Sequence, residues 1–171
     1  MSISSMESIT KETLAGWMKS ALAIAVEGIA KGESPFGACI YGPDGVPLSR
    51  EHNQVASTNR PTAHAEILAI ESACVKKGES RLPDHWLVAT GEPCPMCFSA
   101  AALAGIRHIV YGGPTEVIKQ SGYETLDISV RSLSRIVEDT FDIHGPILQF
   151  DCSALLLNHP RESQTDGSVN Q

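Results

Sequence analysis

Long apolar runs are missing from this chain of 171 residues. Nothing in it approaches the roughly 18 consecutive apolar residues that a membrane-spanning helix needs, so no membrane partner is expected. The nearest thing to a secretory core, ALAIAV, is short and lies between Lys19 and Glu27. It reads instead as a helix face, because Leu14, Met18, Ala21 and Ala25 recur at helical spacing. Without a targeting segment, the expected compartment is the cytoplasm. Basic clusters are missing as well. Thirteen Lys and Arg face 20 Asp and Glu, for a formal net charge of -7, and the longest basic run is the pair Lys76 and Lys77. Phosphate contacts dominate affinity for nucleic acids, which makes RNA the less favoured partner. Cysteine is scarce and odd in number, five in all. That does not suit a disulfide framework, least of all in a reducing compartment, and it raises the weight of metal binding or catalysis.

The remaining pattern describes one α/β domain over residues 10–158, with polar, flexible ends at 1–9 and 159–171. A first helix runs to about Ala30 and ends at KGESP. FGACIYG reads as a buried strand, and Pro43-Asp44-Gly45 as a hairpin turn into a second strand near Leu48 to Val55. STNRPT is a loop. Ala63, Ile67, Ile70 and Cys74 mark a helix from Thr62 to about Lys77, closed by Gly78. HWLVAT is a third strand, residues 95 to about 104 a helix, and RHIVYGG a fourth strand. The return between these strands is too short for anything but a β-α-β unit, so they are expected to be parallel. SGYETLDIS reads as a loop, PILQF as a short strand and CSALLLN as part of a last helix.

Chemistry concentrates in two short motifs. Cys94 and Cys97 flank Pro95 and Met96 in PCPMC. A bare C-x-x-C serves redox pairs, structural zinc and catalytic zinc alike. Pro95 suits the first position of a helix, which puts both thiols in the opening turn, where the helix dipole favours thiolates. The second motif, PTAHAEI, puts His64 and Glu66 at another helix start. In an open α/β sheet such starts gather at one edge. His64, Cys94 and Cys97 then make three ligands for one zinc ion, leaving a position open, as catalytic zinc sites do. Glu66 is two residues from His64 and points past the metal, where a proton-carrying carboxylate belongs.

The sequences HAE at 64–66 and PCPMC at 93–97 form the pairing of a zinc deaminase signature. The chain resembles the cytidine deaminase-like superfamily over about residues 12–157, and closely its branch of guanine deaminases, tRNA adenosine deaminases and cytosine deaminase. The resemblance implies a three-layer α/β/α sandwich around a mixed five-stranded sheet, one Zn2+ per chain, and a homodimer. It implies that Phe36 in SPFGACI lies against the bound base, that Asn53 in HNQV hydrogen-bonds the substrate, and that Ala65 lies beside it. It further suggests that GYETLDI supplies an acid to the base edge, with Glu124 and Asp127 as alternatives.

The function that follows is hydrolytic deamination of an aminated purine or related nucleobase, a small-molecule heterocycle, in the manner of guanine deaminases. Alternatives are a tRNA adenosine-to-inosine deaminase, a cytosine or nucleoside deaminase, and a noncatalytic zinc-binding module. A reversible redox dithiol is a further reading of the cysteine pair. The lesser alternative for Phe36 is a core residue, and for Asn53 a turn residue capping its own backbone. The remaining histidines read as surface or packing residues, and Cys39, Cys74 and Cys152 as small hydrophobes.

Overall fold

The computed structural model describes residues 9–137 and 139–161. The expected flexible ends therefore fall mostly on residues 1–8 and 162–171, outside the described part. His159–Arg161 are described and are tied down: the Tyr123 hydroxyl donates to the His159 carbonyl at 2.8 Å, and the Arg161 amide to the Ser121 carbonyl at 2.9 Å.

Helix α1 (Lys11–Ala30) starts at Thr10, whose side-chain oxygen accepts from the Thr13 amide at 3.2 Å. Such a cap satisfies one of the donors that a helix start leaves free. Its apolar stripe, Leu14, Trp17, Met18, Ala21 and Ala25, is buried. The stripe lies directly on strand β1 (Gly37–Tyr41), so closely that a side chain at Gly37 would collide with the α1 backbone at Ala21 and Ala25. A hairpin leads to β2 (Pro47–His52), paired antiparallel with β1. After the short α2 (Val55–Thr58) comes α3 (Ala65–Lys77), ended by Gly78 in the left-handed conformation that glycine adopts without steric cost.

Strand β3 (Trp86–Gly91), helix α4 (Pro95–Leu103) and strand β4 (His108–Gly113) form the expected parallel unit. Two short helices follow, α5 (Thr115–Gln120) and α6 (Val130–Ser134), then β5 (Asp142–His144) and α7 (Gln149–Asn158). The sheet order is β2-β1-β3-β4-β5, with β1 antiparallel to its neighbours and β5 parallel to β4. Alternation along the strands divides the core between two layers. Ile40, Leu87 and Ala89 face Ala65, Ala69 and Ala73 of α3 and Ala101 of α4. Cys39, Tyr41, Val88 and Val110 face Leu14, Trp17 and Met18 of α1 and Cys152 of α7. The result is the α/β/α sandwich around a mixed five-stranded sheet.

Three local expectations change. PILQF is not a strand: β5 is the preceding Asp142–His144, and Pro146–Phe150 turns into α7 through Leu148 at φ 47°. Within the stretch read as the end of β2 and a loop, Val55–Thr58 forms one helical turn, because the Glu33 carboxyl accepts from the Ala56 and Ser57 amides at 3.1 and 3.0 Å. This cap comes from 23 residues upstream and is not visible in the local sequence. Around the loop read at 121–129, α5 and α6 likewise take their first turns from a distant cap described below.

Candidate active site

Because β1 opposes both neighbours, β2 runs in the same direction as β3 and β4, and their carboxyl ends share one edge of the sheet. The chain leaving β2 begins α3 at that edge, and the chain leaving β3 begins α4 there. His64 is the N-cap of α3 and Cys94 the N-cap of α4, with Pro95 at its first helical position. Cys97 lies one turn further on, fully buried.

These two helix starts bring three donor atoms together. Cys94 Sγ is 3.6 Å from Cys97 Sγ and 3.8 Å from His64 Nδ1, and Cys97 Sγ is 3.6 Å from the same nitrogen. Tetrahedral zinc, with bonds of about 2.3 Å to sulfur and 2.05 Å to nitrogen, spaces two sulfurs about 3.8 Å apart and sulfur from nitrogen about 3.6 Å. The triad fits that geometry within tenths of an ångström. Among the described residues it is the cluster of His, Cys, Asp or Glu side chains whose ligand atoms converge in this way.

The charges of the donors point the same way. Cys94 is held down to about 4, chiefly by the hydrogen bond from the Cys97 thiol and then by His64. His64 is raised, chiefly by its hydrogen bond with Cys94. Cys97 is pushed up, first by the neighbouring Cys94 sulfur, then by burial and by Glu66. Sulfurs this close share a proton when no cation lies between them, and a metal binding there displaces it. By contrast Cys39 and Cys152 are pushed up to about 11 and 12 by burial and behave as inert apolar groups.

Glu66, in the first turn of α3, is 7% exposed. Burial drives its carboxyl up to about 7, opposed by the charge on His64. A carboxyl poised there both takes and returns a proton near neutral pH.

His64, Cys94 and Glu66 open onto a cleft of about 510 Å³, with Cys97 buried behind them. Phe36 and Asn53 form part of its wall, as does Tyr123, whose ring meets Phe36 edge-on at 5.0 Å. Asn53 is 5% exposed, and its Oδ1 accepts from the Val55 amide at 3.0 Å. The turn-capping reading of Asn53 therefore holds, and its amide nitrogen keeps two donors besides. Ala65 has its side chain in the core against the sheet rather than in the cleft wall. As the first residue of α3 it contributes a backbone N–H with no acceptor inside the helix. Glu124 stands at the rim, 90% exposed and 3.5 Å from Arg161 Nη1. Asp127 is not part of the wall; its carboxyl is 2.8 Å from Lys119 Nζ on the outside. This separates the two acids that the sequence left as alternatives.

Tyr123, quoted only within a loop, and two further wall residues escaped sequence reasoning. Arg161 belongs to the stretch read as a tail, and Glu92, buried two residues before Cys94, makes its contacts far along the chain. For Glu92 the available signal was an acid beside the Pro-Cys motif.

An α/β/α sandwich carrying a His/Cys/Cys group at two helix starts, with a buried carboxyl beside it, defines a zinc-binding domain of one metal site. The particular family follows from comparison: residues 11–113 match the cytidine and deoxycytidylate deaminase zinc-binding region, and the chain belongs to that family. It is 38% identical over 110 residues to the tRNA-specific adenosine deaminase of Streptococcus pyogenes serotype M1, a match covering 64% of this chain and 63% of that relative. The chain thus spans less than two thirds of that relative's length. It is 37% identical over 109 residues to the guanine deaminase of Bacillus subtilis (strain 168), covering 63% of this chain and 69% of the relative. The fold superimposes on a guanine deaminase from Nitrosomonas europaea with a TM-score of 0.79 at 24% identity, covering 85% of this chain and 84% of that one. Among the described residues no helix is long and apolar enough to cross a membrane.

Proposed function

We propose that this protein is a zinc-dependent hydrolytic deaminase of an aminated purine or a related nucleobase, exchanging a ring amine for oxygen with release of ammonia. The observation that carries the reading is the buried Glu66 beside the His64, Cys94 and Cys97 donors, at the wall of a cleft. His64 Nδ1 and the two sulfurs would hold the zinc, which supplies Lewis acidity that makes water nucleophilic near neutral pH. Glu66 accepts a proton from water and passes it to the ring nitrogen, then takes the remaining proton of the added hydroxyl and passes it to the departing amine. The carbon that bore the amine gains oxygen and loses NH3, and Glu66 returns to its starting form. One carboxyl carries both transfers because burial holds it near neutrality. Phe36 and Tyr123 offer apolar faces to a flat ring, and the Asn53 amide and Ala65 N–H offer donors to its polar edge. Glu124 at the rim is the acid available to an N–H edge; Asp127 is not.

Similarity to the streptococcal relatives favours a second reading, deamination of adenosine in tRNA. The formal net charge of -7 and the acid at the cleft mouth weigh against a polyanionic substrate. A cytosine or nucleoside substrate is a further alternative. The reading extends to one deaminase domain over residues 10–158, a cytoplasmic place in purine metabolism, and a homodimer. The test is ammonia release by the zinc-loaded protein from guanine, adenine, cytosine, their nucleosides and a tRNA anticodon stem-loop. Release from guanine or another free aminated ring supports the proposal, and release from RNA alone replaces it with the second reading.

A further inference from the structure

The far wall of the cleft is a single stretch of chain: Ile118, Tyr123, Glu124 and Thr125 all lie between Thr115, which opens α5, and Val130, which opens α6. Both ends of this stretch are held by one side chain. Glu92 Oε2 accepts from the Thr115 amide at 3.0 Å and from the Thr115 hydroxyl at 2.8 Å, and its Oε1 accepts from the Val130 amide at 2.9 Å. The two amides are helix-start donors that have no acceptor inside their own helices. Glu92 is itself fixed, because its amide donates to the Gly113 carbonyl at 2.8 Å at the end of β4, and it is 7% exposed. A carboxylate is acceptor on both oxygens and can close both ends; an amide in its place would turn a donor toward one of them. Just before it, Gly91 has no side chain because one would press on Phe36 at 3.1 Å and Ile118 at 3.2 Å, so the two walls meet beside the clamp.

We infer that Glu92 is a positioning residue for substrate recognition: by closing the base of the 115–130 segment it sets the distance between the Tyr123 wall and Phe36. Among the described residues its side-chain hydrogen bonds run to Thr115 and Val130, not to His64, Cys94 or Cys97. The inference rests on reading the cleft as the substrate site, and it separates recognition, which depends on the clamp, from metal binding and proton transfer, which do not.

The test uses the zinc-loaded full chain with Glu92→Gln and Thr115→Val, read by amide hydrogen exchange, zinc content and steady-state kinetics with guanine. In Glu92→Gln the amides of 115–130 exchange about tenfold faster or more, while α3 and α4 keep their protection. Zinc stays bound, and KM for guanine rises about tenfold with kcat changed less than about threefold. Thr115→Val, which removes one of the three donors, moves both readouts the same way by less, and Glu92→Asp restores part of the loss. Should Glu92→Gln fail to fold, Thr115→Val carries the same comparison alone. Unchanged exchange in 115–130, loss of zinc, or a fall in kcat at constant KM overturns the inference. A wild-type protein inactive on guanine counts against the proposed substrate instead, and the exchange measurement still decides the role of Glu92.

Discussion

The two sides of the cleft are built differently. The metal side consists of two helix starts, α3 and α4, rooted in the sheet and packed into the core through Ala65, Ala69, Ala73 and Ala101. The opposite side is a segment with two helices of five and six residues, whose middle carries exposed Glu124 and Asp127. The first side fixes donor atoms to within tenths of an ångström, which metal binding demands. The second is held by capping contacts from Glu92 and by the ties of Tyr123 and Arg161 to other parts of the chain. On the proposed function, chemistry belongs to the metal side and substrate selection to the pinned one.

Replacing a donor breaks the metal side most severely. Cys97→Ala leaves two donors, and zinc content after dialysis against a mild chelator is expected to fall by at least about tenfold, with activity following it. Full retention of zinc would show that Cys97 is not a ligand.

A pH effect on stability comes next. Burial raises the Glu66 carboxyl from 4.5 to about 7, so the folded protein retains a proton there that the unfolded chain has released. The sign follows: this contribution to stability is complete below pH 4.5 and is lost as pH rises through about 7. Metal-stripped protein should therefore lose about 3 kcal/mol across that window relative to Glu66→Gln, measured by urea unfolding at both ends. Parallel pH profiles for the two proteins would contradict the burial cost.

Tyr123→Ala on the pinned side and Phe36→Ala on the wall facing it are each expected to lower kcat/KM about tenfold through KM, with zinc unchanged, as removal of a ring-stacking face does. A fall in kcat alone would move these residues to the reacting atoms. The smallest effect belongs to Asp127→Asn. It gives up an exposed ion pair with Lys119 worth less than about 1 kcal/mol, and kcat/KM should stay within about twofold of wild type. A large loss would return Asp127 to the substrate contacts.

Legibility in the sequence follows the same division. His64, Glu66, Cys94 and Cys97 could be read because their spacing is local: each pair lies within one helix start, and Pro95 marks where α4 begins. The β-α-β unit was readable because apolar runs and Gly105 bound it. The pinned side depends on contacts that local sequence does not encode. Glu92 reaches Thr115 and Val130 at separations of 23 and 38 residues. Glu33 makes a helical turn of Val55–Thr58 from a similar distance. The three-residue β5 is too short for alternation to register, and the apolar Ile147 and Leu148 beside it drew the strand assignment toward α7.

The measurement that tests the central claim most directly is ammonia release from guanine by wild-type protein and by Glu66→Gln at matched zinc content. The account predicts turnover by the wild type and a loss of about a thousandfold in the variant, with the fold and the metal retained. Substantial turnover by zinc-loaded Glu66→Gln would contradict it and remove Glu66 from the proton path.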